Sequence, residues 1–367
     1  MRRAAVAVAA TAMAVSLAAC GSAGEADKDK SEGADKAKSG PIKIGLLLPE
    51  NQTARYEAFD KPLIEKRIAE LAPDADVTYV NAQQDATKQQ QQVETMITKK
   101  VDVIILDAVD SKAIASAVQS AKDADIPVVA YDRLAEGPID AYTSFDNEEV
   151  GKVQGTALLE ALGDKGDKPQ IVMMNGSPTD PNAAMFKAGA HSVLDGKVTI
   201  KEYDTKEWKP EVANTQMEGA IASLGKDKIV GVYSANDGLA GGIIEALKGG
   251  GFDKANLPPV TGQDAELAGV QRIVAGEQYM SVYKPYQPEA YAAAEMAVAL
   301  AKGEKLDSIA KAKVDSPTTK GVPALLIPPV ALTQKNIKDT VVKDGLYTID
   351  DICTPKYKAA CDKIGLK

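Results

Sequence analysis

The stretch Val128 to Asn147, VVAYDRLAEGPIDAYTSFDN, decides the fold. It begins as an apolar run of strand type and releases Asp132 and Arg133 where that run ends. It closes at Phe145-Asp146-Asn147, beyond which an α/β pattern starts afresh. Ligands of open parallel sheets bind just outside the carboxyl ends of the strands, so an Asp and an Arg released together at such an end are placed to hold a polar ligand. The stretch therefore carries a candidate site on its left and a candidate hinge on its right.

Outward from it the alternation is regular. Upstream, strands are predicted at Ile42 to Leu48, Asp76 to Val80, Val101 to Leu106 and Pro127 to Ala130. Helices are predicted from about Ala54 to Leu71, from caps at Asp85 or Thr87 to Lys99, and from Ser111 to Lys122. The run Gln89 to Gln92 reads as a solvated helix face beside the apolar stripe of Val93, Met96 and Ile97. Downstream the same order of events repeats from Val150 to Ala275, with strands expected at Ile171 to Met174, Val198 to Tyr203, Ile229 to Tyr233 and Pro259 to Gly262. Strands separated by helices of about ten to fifteen residues mean βαβ units and parallel sheets.

The expected fold is thus α/β, two Rossmann-like parallel-sheet lobes joined by a three-crossing hinge. The first lobe takes 41–145 plus 284–320, and the second 146–283 plus 321–367. The long Ala-rich helix from about Pro288 to Lys302 is expected to pack back on the first lobe. That makes Tyr283 to Pro285 a second crossing and Val322 to Pro329 a candidate third. Two such lobes form an architecture that closes by a hinge around a ligand held between them.

The amino terminus reads differently. Residues 1–19 combine Arg2 and Arg3 with an almost unbroken Ala/Val/Met run and end in Leu17-Ala18-Ala19-Cys20, the shape of a secretory signal followed by a cysteine. This resembles a bacterial lipobox, which would make Cys20 the lipidated first residue of an exported chain. A plain signal peptide or an uncut anchor is the alternative, but the run is shorter than the ~20 residues a bilayer span needs. Residues 20–40 after the signal contain no large apolar side chain and mix Lys with Asp and Glu, so they form a flexible tether. The 367-residue chain is 45% hydrophobic with a formal charge of -9, enough for two cores and too acidic for a nucleic-acid partner. Cys353 and Cys361 are expected to form a local disulfide pinning the tail, with free thiols as the alternative.

Collinear pieces then point to a family. KIGLLLPENQTARYEAFDK, VDVIILDA, VVAYDRL, SFDNEEVG, NGSPTDPNA, SANDGLAGG, GQDAELAGVQRIVAG, VYKP and NIKDTVVKDGLY occur in order between Ile42 and Tyr347. The chain resembles the periplasmic D-xylose-binding proteins of sugar ABC importers, within the ribose/galactose-binding superfamily. YDR with SFDNE, GQDAELAG and VYKP favour the xylose branch. The resemblance implies a type I periplasmic binding fold, a monomer with no cofactor, a monosaccharide ligand and a membrane permease as partner. The chain would then sit outside the cell, tethered to the membrane by lipid on Cys20.

A pyranose presents a rim of hydroxyls and two apolar faces, so its receptor needs planar polar groups around the rim and flat aromatics above and below. By the resemblance Arg55 and Arg133 donate to sugar oxygens and Asp132 accepts from hydroxyls. Tyr56 stands where the family usually has a stacking Trp, a departure that bears on affinity and preference. Asn182 either caps a helix or contacts a hydroxyl. Trp208, the only tryptophan, lies in the polar loop KEWKPE and reads as a stacking platform. Asn236 and Asp264 end strands on the cleft side, and Lys284 at the hinge can reach a sugar oxygen or an interlobe carboxylate. Trp208→Ala and Asp264→Ala are expected to weaken binding and leave the fold intact.

His191, the sole histidine, reads as surface decoration. No Ser/His/Asp set, Cys/His metal spacing, GxSxG, phosphate-cradling GxxxxGK or calcium loop occurs, so neither a catalytic nor a metal site is expected. A sensory partner of a membrane receptor is the rival reading. A transcription regulator would need a helix-turn-helix where Cys20 stands, and an enzyme would need a proton-transfer pair such as Asp132 with Asp264.

Overall fold

Ile44, Leu46 and Leu48 point to one side of strand β1 (Lys43–Leu48) and Leu47 to the other, and all four are fully buried. Such two-sided burial is what a parallel strand covered by helices on both faces requires, and it explains why the run KIGLLL is almost continuously apolar. The structure, a computed structural model, describes residues 40–367. The expected signal peptide, the Cys20 lipid site and the tether up to residue 39 lie outside the described residues.

Around β1 stand β2 (Asp76–Asn81), β3 (Val103–Leu106), β4 (Val128–Tyr131) and β5 (Ala141–Phe145), all pairing in parallel. The second lobe is built on β6 (Gln170–Asn175), β7 (Thr199–Asp204) and β8 (Gly231–Ser234), in the order β7-β6-β8. The expected strand at Pro259 to Gly262 extends that sheet. Val260 bridges Val232, and Val282 donates its N–H to the Gly262 carbonyl at 2.9 Å, joining β9 (Ser281–Tyr283) to the layer. After the Tyr286–Ala301 helix come β10 (Ala312–Val314), β11 (Val322–Ile327) and β12 (Val330–Leu332).

Here the expected lobe boundary shifts. β11 pairs in parallel with β5 and β10 pairs antiparallel with β11, so residues 322–327 belong to the first lobe's sheet, ordered β10-β11-β5-β4-β3-β1-β2. The crossing follows Ile327 instead of preceding Val322. The apolar pattern VPALLI announces a strand but not which sheet will take it, since Val322 and Ala324 are buried against Tyr142 of the first lobe. The three crossings lie side by side: Asp146 donates its N–H to the Ile327 carbonyl at 3.0 Å, and Phe145, Tyr286 and Ile327 share one apolar cluster. The Tyr286–Ala301 helix packs on the first lobe as expected, its Ala293, Ala294 and Ala297 fully buried there. Residues beyond β12 cover the second lobe, where Cys353 and Cys361 are joined in a disulfide.

The glutamine run is not simply solvated. Gln89 is fully buried, giving its Nε2–H to the Asp107 carbonyl at 2.7 Å and accepting the Val109 N–H at 2.8 Å. Its amide replaces the backbone partners that the loop after β3 lacks, which a count of polar residues on a helix face does not reveal.

Candidate functional site

Between the lobes lies a small cavity lined by Thr53, Arg55, Tyr56, Asp132, Arg133, Asp180, Asn182, Phe186, Trp208, Asn236, Gln263, Asp264 and Lys284. All nine residues singled out in the sequence as ligand contacts line it, brought together from both lobes and the hinge. Every lining residue is buried, the most open being Thr53 at 6% exposure.

Arg55 and Tyr56 enter through an unusually wide helical turn, Tyr56–Asp60, that precedes the regular helix Lys61–Leu71. Such turns recur at functional sites because they re-aim side chains. Here Arg55 Nε reaches Asp60 Oδ2 at 2.8 Å, its Nη2 reaches Glu289 Oε2 at 2.6 Å, and its Nη1 lies 3.4 Å from Asp132 Oδ1. The guanidinium also sits 4.6 Å from the Tyr286 ring centre. Tyr56 donates its hydroxyl to Asp132 Oδ2 at 3.1 Å, a polar contact beyond any stacking role of its ring.

Asp132 has a left-handed backbone, φ 53°, held by Tyr142 and Ser144 hydroxyls that both donate to its carbonyl. Burial pushes its carboxyl up, but Arg55, Lys284 and Arg133 outweigh burial and hold it below the ordinary carboxylate range. It is the anionic acceptor of the site. Arg133 Nε pairs with Asp180 Oδ2 of the second lobe at 2.9 Å and lies 3.6 Å from Asp107. Burial raises Asp107 well above its ordinary pKa, against the pull of Arg133, and it also raises Asp180 and Glu50. Burial likewise lifts Glu289, with Arg55 opposing. Carboxyls crowded together oppose one another's ionisation, so burial holds these outer acids above their ordinary range while Asp132, facing three cations, is held below it.

From the second lobe, Asp180 caps the Pro181–Leu194 helix by accepting the Asn182 N–H. That leaves Asn182 free of the capping role it was one candidate for. Its Nδ2 donates to the Asp132 carbonyl at 3.1 Å across the cleft, and its Oδ1 has no hydrogen-bond partner. Asn236 does both jobs at once, capping the Asp237–Gly249 helix through the Leu239 N–H at 2.8 Å while lining the cavity. Trp208 also has positive φ, 54°, and donates Nε1–H to Asp180 Oδ2 at 3.1 Å. It is more than a loop platform, however. It is 5% exposed within the second lobe's core, and a Cβ on Gly176 would lie 2.0 Å from its ring. Trp208→Ala would therefore leave a core cavity, a change that costs about 3–5 kcal/mol, which corrects the expectation that the fold tolerates it.

Asp264, φ 86°, sets its Oδ1 2.7 Å from Lys284 Nζ, and its carbonyl accepts the Tyr286 hydroxyl. Lys284 thus serves a second-lobe carboxylate while lining the cavity, its ammonium 5.7 Å from the Phe186 ring centre. Thr53, Asp180, Phe186 and Gln263 were missed in the sequence. Asp180 and Phe186 lie within four residues of Asn182, and Gln263 precedes Asp264, so proximity to named motifs was the available signal. His191 lies apart from the cavity, its ring nitrogens on Asp195 at 2.7 Å and Glu202 at 3.2 Å. Among the described residues no His/Cys/Asp/Glu group is arranged to hold a metal.

With this geometry in view, residues 44–305 match the periplasmic binding protein domain. The chain belongs to the periplasmic binding protein family. The D-xylose-binding periplasmic protein of Haemophilus influenzae is 36% identical over 323 residues, 86% of this chain and 93% of that protein. A multiple sugar-binding periplasmic receptor of Rhizobium radiobacter is 34% identical over 328 residues, 84% of this chain and 92% of the receptor. A solved ABC transporter solute-binding protein from Clostridium phytofermentans, with bound β-D-glucose, superposes with a TM-score of 0.77 at 28% identity, covering 84% of this chain and 99% of that one. As a family member the chain is a solute-binding protein of the sugar ABC-importer superfamily and not an enzyme.

Proposed function

We propose that the protein captures D-xylose outside the cell and delivers it to an ABC permease. The observation that carries this reading is the lining of one small cavity by planar polar groups and aromatic rings from both lobes. Arg55, Arg133, Asn182, Asn236, Asp264 and Lys284 supply directional partners for hydroxyls, with Asp132 as anionic acceptor and Tyr56, Phe186 and Trp208 as flat walls. Asn182 Oδ1 and Gln263 Oε1 are buried acceptors without protein partners. An unmade buried hydrogen bond costs about 1–3 kcal/mol, which a sugar hydroxyl would recover. Xylose is favoured over other sugars by the 36% identity to a xylose-binding relative, although relatives of similar identity are named for several sugars.

The test is titration of the purified protein with pentoses, hexoses and xylobiose, followed by Trp208 fluorescence and calorimetry. Saturable binding of xylose at sub-millimolar concentration with weaker response to the rest is the expected result. Preferential binding of another sugar would replace the substrate, and silence across the panel would overturn sugar capture. Membrane attachment through lipid on Cys20 belongs to the same proposal. Metabolic labelling with palmitate should mark the wild type and not Cys20→Ser.

A further inference from the structure

The two lobes touch at a second place that lines no part of the cavity. The loop after β3 and the loop after β6 meet at the outer lip of the cleft. Thr179 donates its hydroxyl to the Val109 carbonyl at 3.2 Å, and Ser111 donates its N–H to the Thr179 carbonyl at 3.3 Å. Both sides of this contact are braced from behind. Gln89 grips Val109 at 2.8 Å, Asp110 Oδ1 accepts the N–H groups of Lys112 and Ala113, and the Ser111 carbonyl accepts the Glu136 N–H at 2.9 Å. On the second lobe, the Ser177 carbonyl accepts the Asp180 N–H at 3.1 Å, and the Ser177 hydroxyl lies 3.1 Å from that of Thr179.

We propose that Thr179 is the latch of the closed cleft, a positioning residue that sets how long a bound sugar stays without touching it. The proposal rests on the sugar-capture reading above. Its physical basis is leverage. The crossings leave from β5, β9 and β11, whereas the lip loops leave from β3, two places from β5 in its sheet, and from β6 on the far side of β8. At about 4.8 Å per strand the latch stands roughly 10 Å or more from the hinge, so a small opening rotation parts it before contacts beside Lys284 move far. Thr179 is exposed, so water competes for its hydrogen bond as soon as the lip separates. The same loop ends in Asp180 and leads into the helix that carries Asn182, and release of Thr179 therefore precedes release of the Asp180–Arg133 pair and of the Asn182–Asp132 bond.

The test is stopped-flow association and dissociation of xylose, read by Trp208 fluorescence, in the purified wild type, Thr179→Ala and Thr179→Ser. The alanine variant should dissociate roughly three- to tenfold faster with an unchanged association rate and an unchanged melting temperature without sugar. The serine variant, which keeps the hydroxyl, should return close to the wild-type rate. An off-rate in Thr179→Ala within twofold of wild type overturns the latch and leaves sugar capture standing. So does a loss of affinity carried by the association rate, or failure of serine to rescue. A wild type that binds no sugar overturns sugar capture itself and takes the latch with it.

Discussion

At the scale of single residues, the site is organised by backbone conformations that side-chain chemistry does not announce. Asp132, Trp208 and Asp264 all have positive φ, and such positions each cost about 1–3 kcal/mol unless the surroundings over-determine them. The cost is met by named contacts: Tyr142 and Ser144 on the Asp132 carbonyl, Asp180 on the Trp208 indole and Tyr286 on the Asp264 carbonyl. Gly176 shows how tightly one of these is fitted, since its α-carbon leaves no room for a methyl group beside Trp208. Gly176→Ala should push the indole toward the cavity, break its bond to Asp180 and weaken sugar binding by at least tenfold. It should also lower stability by about 1–3 kcal/mol through overpacking. Calorimetric titration and thermal melts read the two effects separately, and an alanine variant with wild-type affinity would mean that the indole does not shape the site.

At the scale of elements, the parts legible in the sequence are those governed by local pattern. The strands β1, β3 and β4 and the Asp85-capped helix were readable because burial on two faces and capping chemistry leave marks within a few residues. The residues following strand ends could be picked out for the same reason. β11 was legible as a strand and not as a member of the first sheet, because sheet membership is decided by partners more than a hundred positions away. Gln89 was misread because its duty lies in a loop that only folding brings beside it. The Cys353–Cys361 link joins the short helices at Ile349–Ile352 and Lys358–Ile364, elements too brief to hold by themselves. A link closing so short a loop stabilises by about 2–3 kcal/mol in the chain-entropy view. Because Cys361 packs with Val270, Ile273 and Ile337, the loss should stay local to the second lobe's outer layer. Reduction with dithiothreitol should speed amide exchange from about Ile337 to Leu366 and leave exchange around Asp132 unchanged. Equal protection with and without reductant would show that packing alone secures the tail.

At the scale of the whole molecule, buried carboxyls lean the protein toward acid. Burial lifts Glu266 to about 8, helped by neighbouring Asp237 and Asp264 and opposed by Arg272 and by the Ala54 N–H. Burial lifts Asp237 to about 7, with Arg272, Gln278 and Ser281 opposing. An acid whose folded pKa lies above its unfolded value contributes stability that is complete below the unfolded value and lost as pH rises through the folded one. For Glu266 the window runs from 4.5 to about 8, and for Asp237 from 3.8 to about 7. Within these windows each group withdraws at most roughly 1.4 kcal/mol per pH unit. Asp107, Asp180 and Glu50 are shifted in the same direction, whereas Asp132, held low by Arg55, Lys284 and Arg133, withdraws its contribution only in stronger acid. The melting temperature should therefore be highest in mild acid and fall steadily toward pH 8. Glu266→Gln, neutral at every pH, should abolish the part of that fall between about pH 7 and 8 and lessen the slope from 4.5 to about 7, where the share due to Asp237 remains. A melting profile of the same slope in the Gln variant would locate the pH dependence in the cavity carboxyls instead.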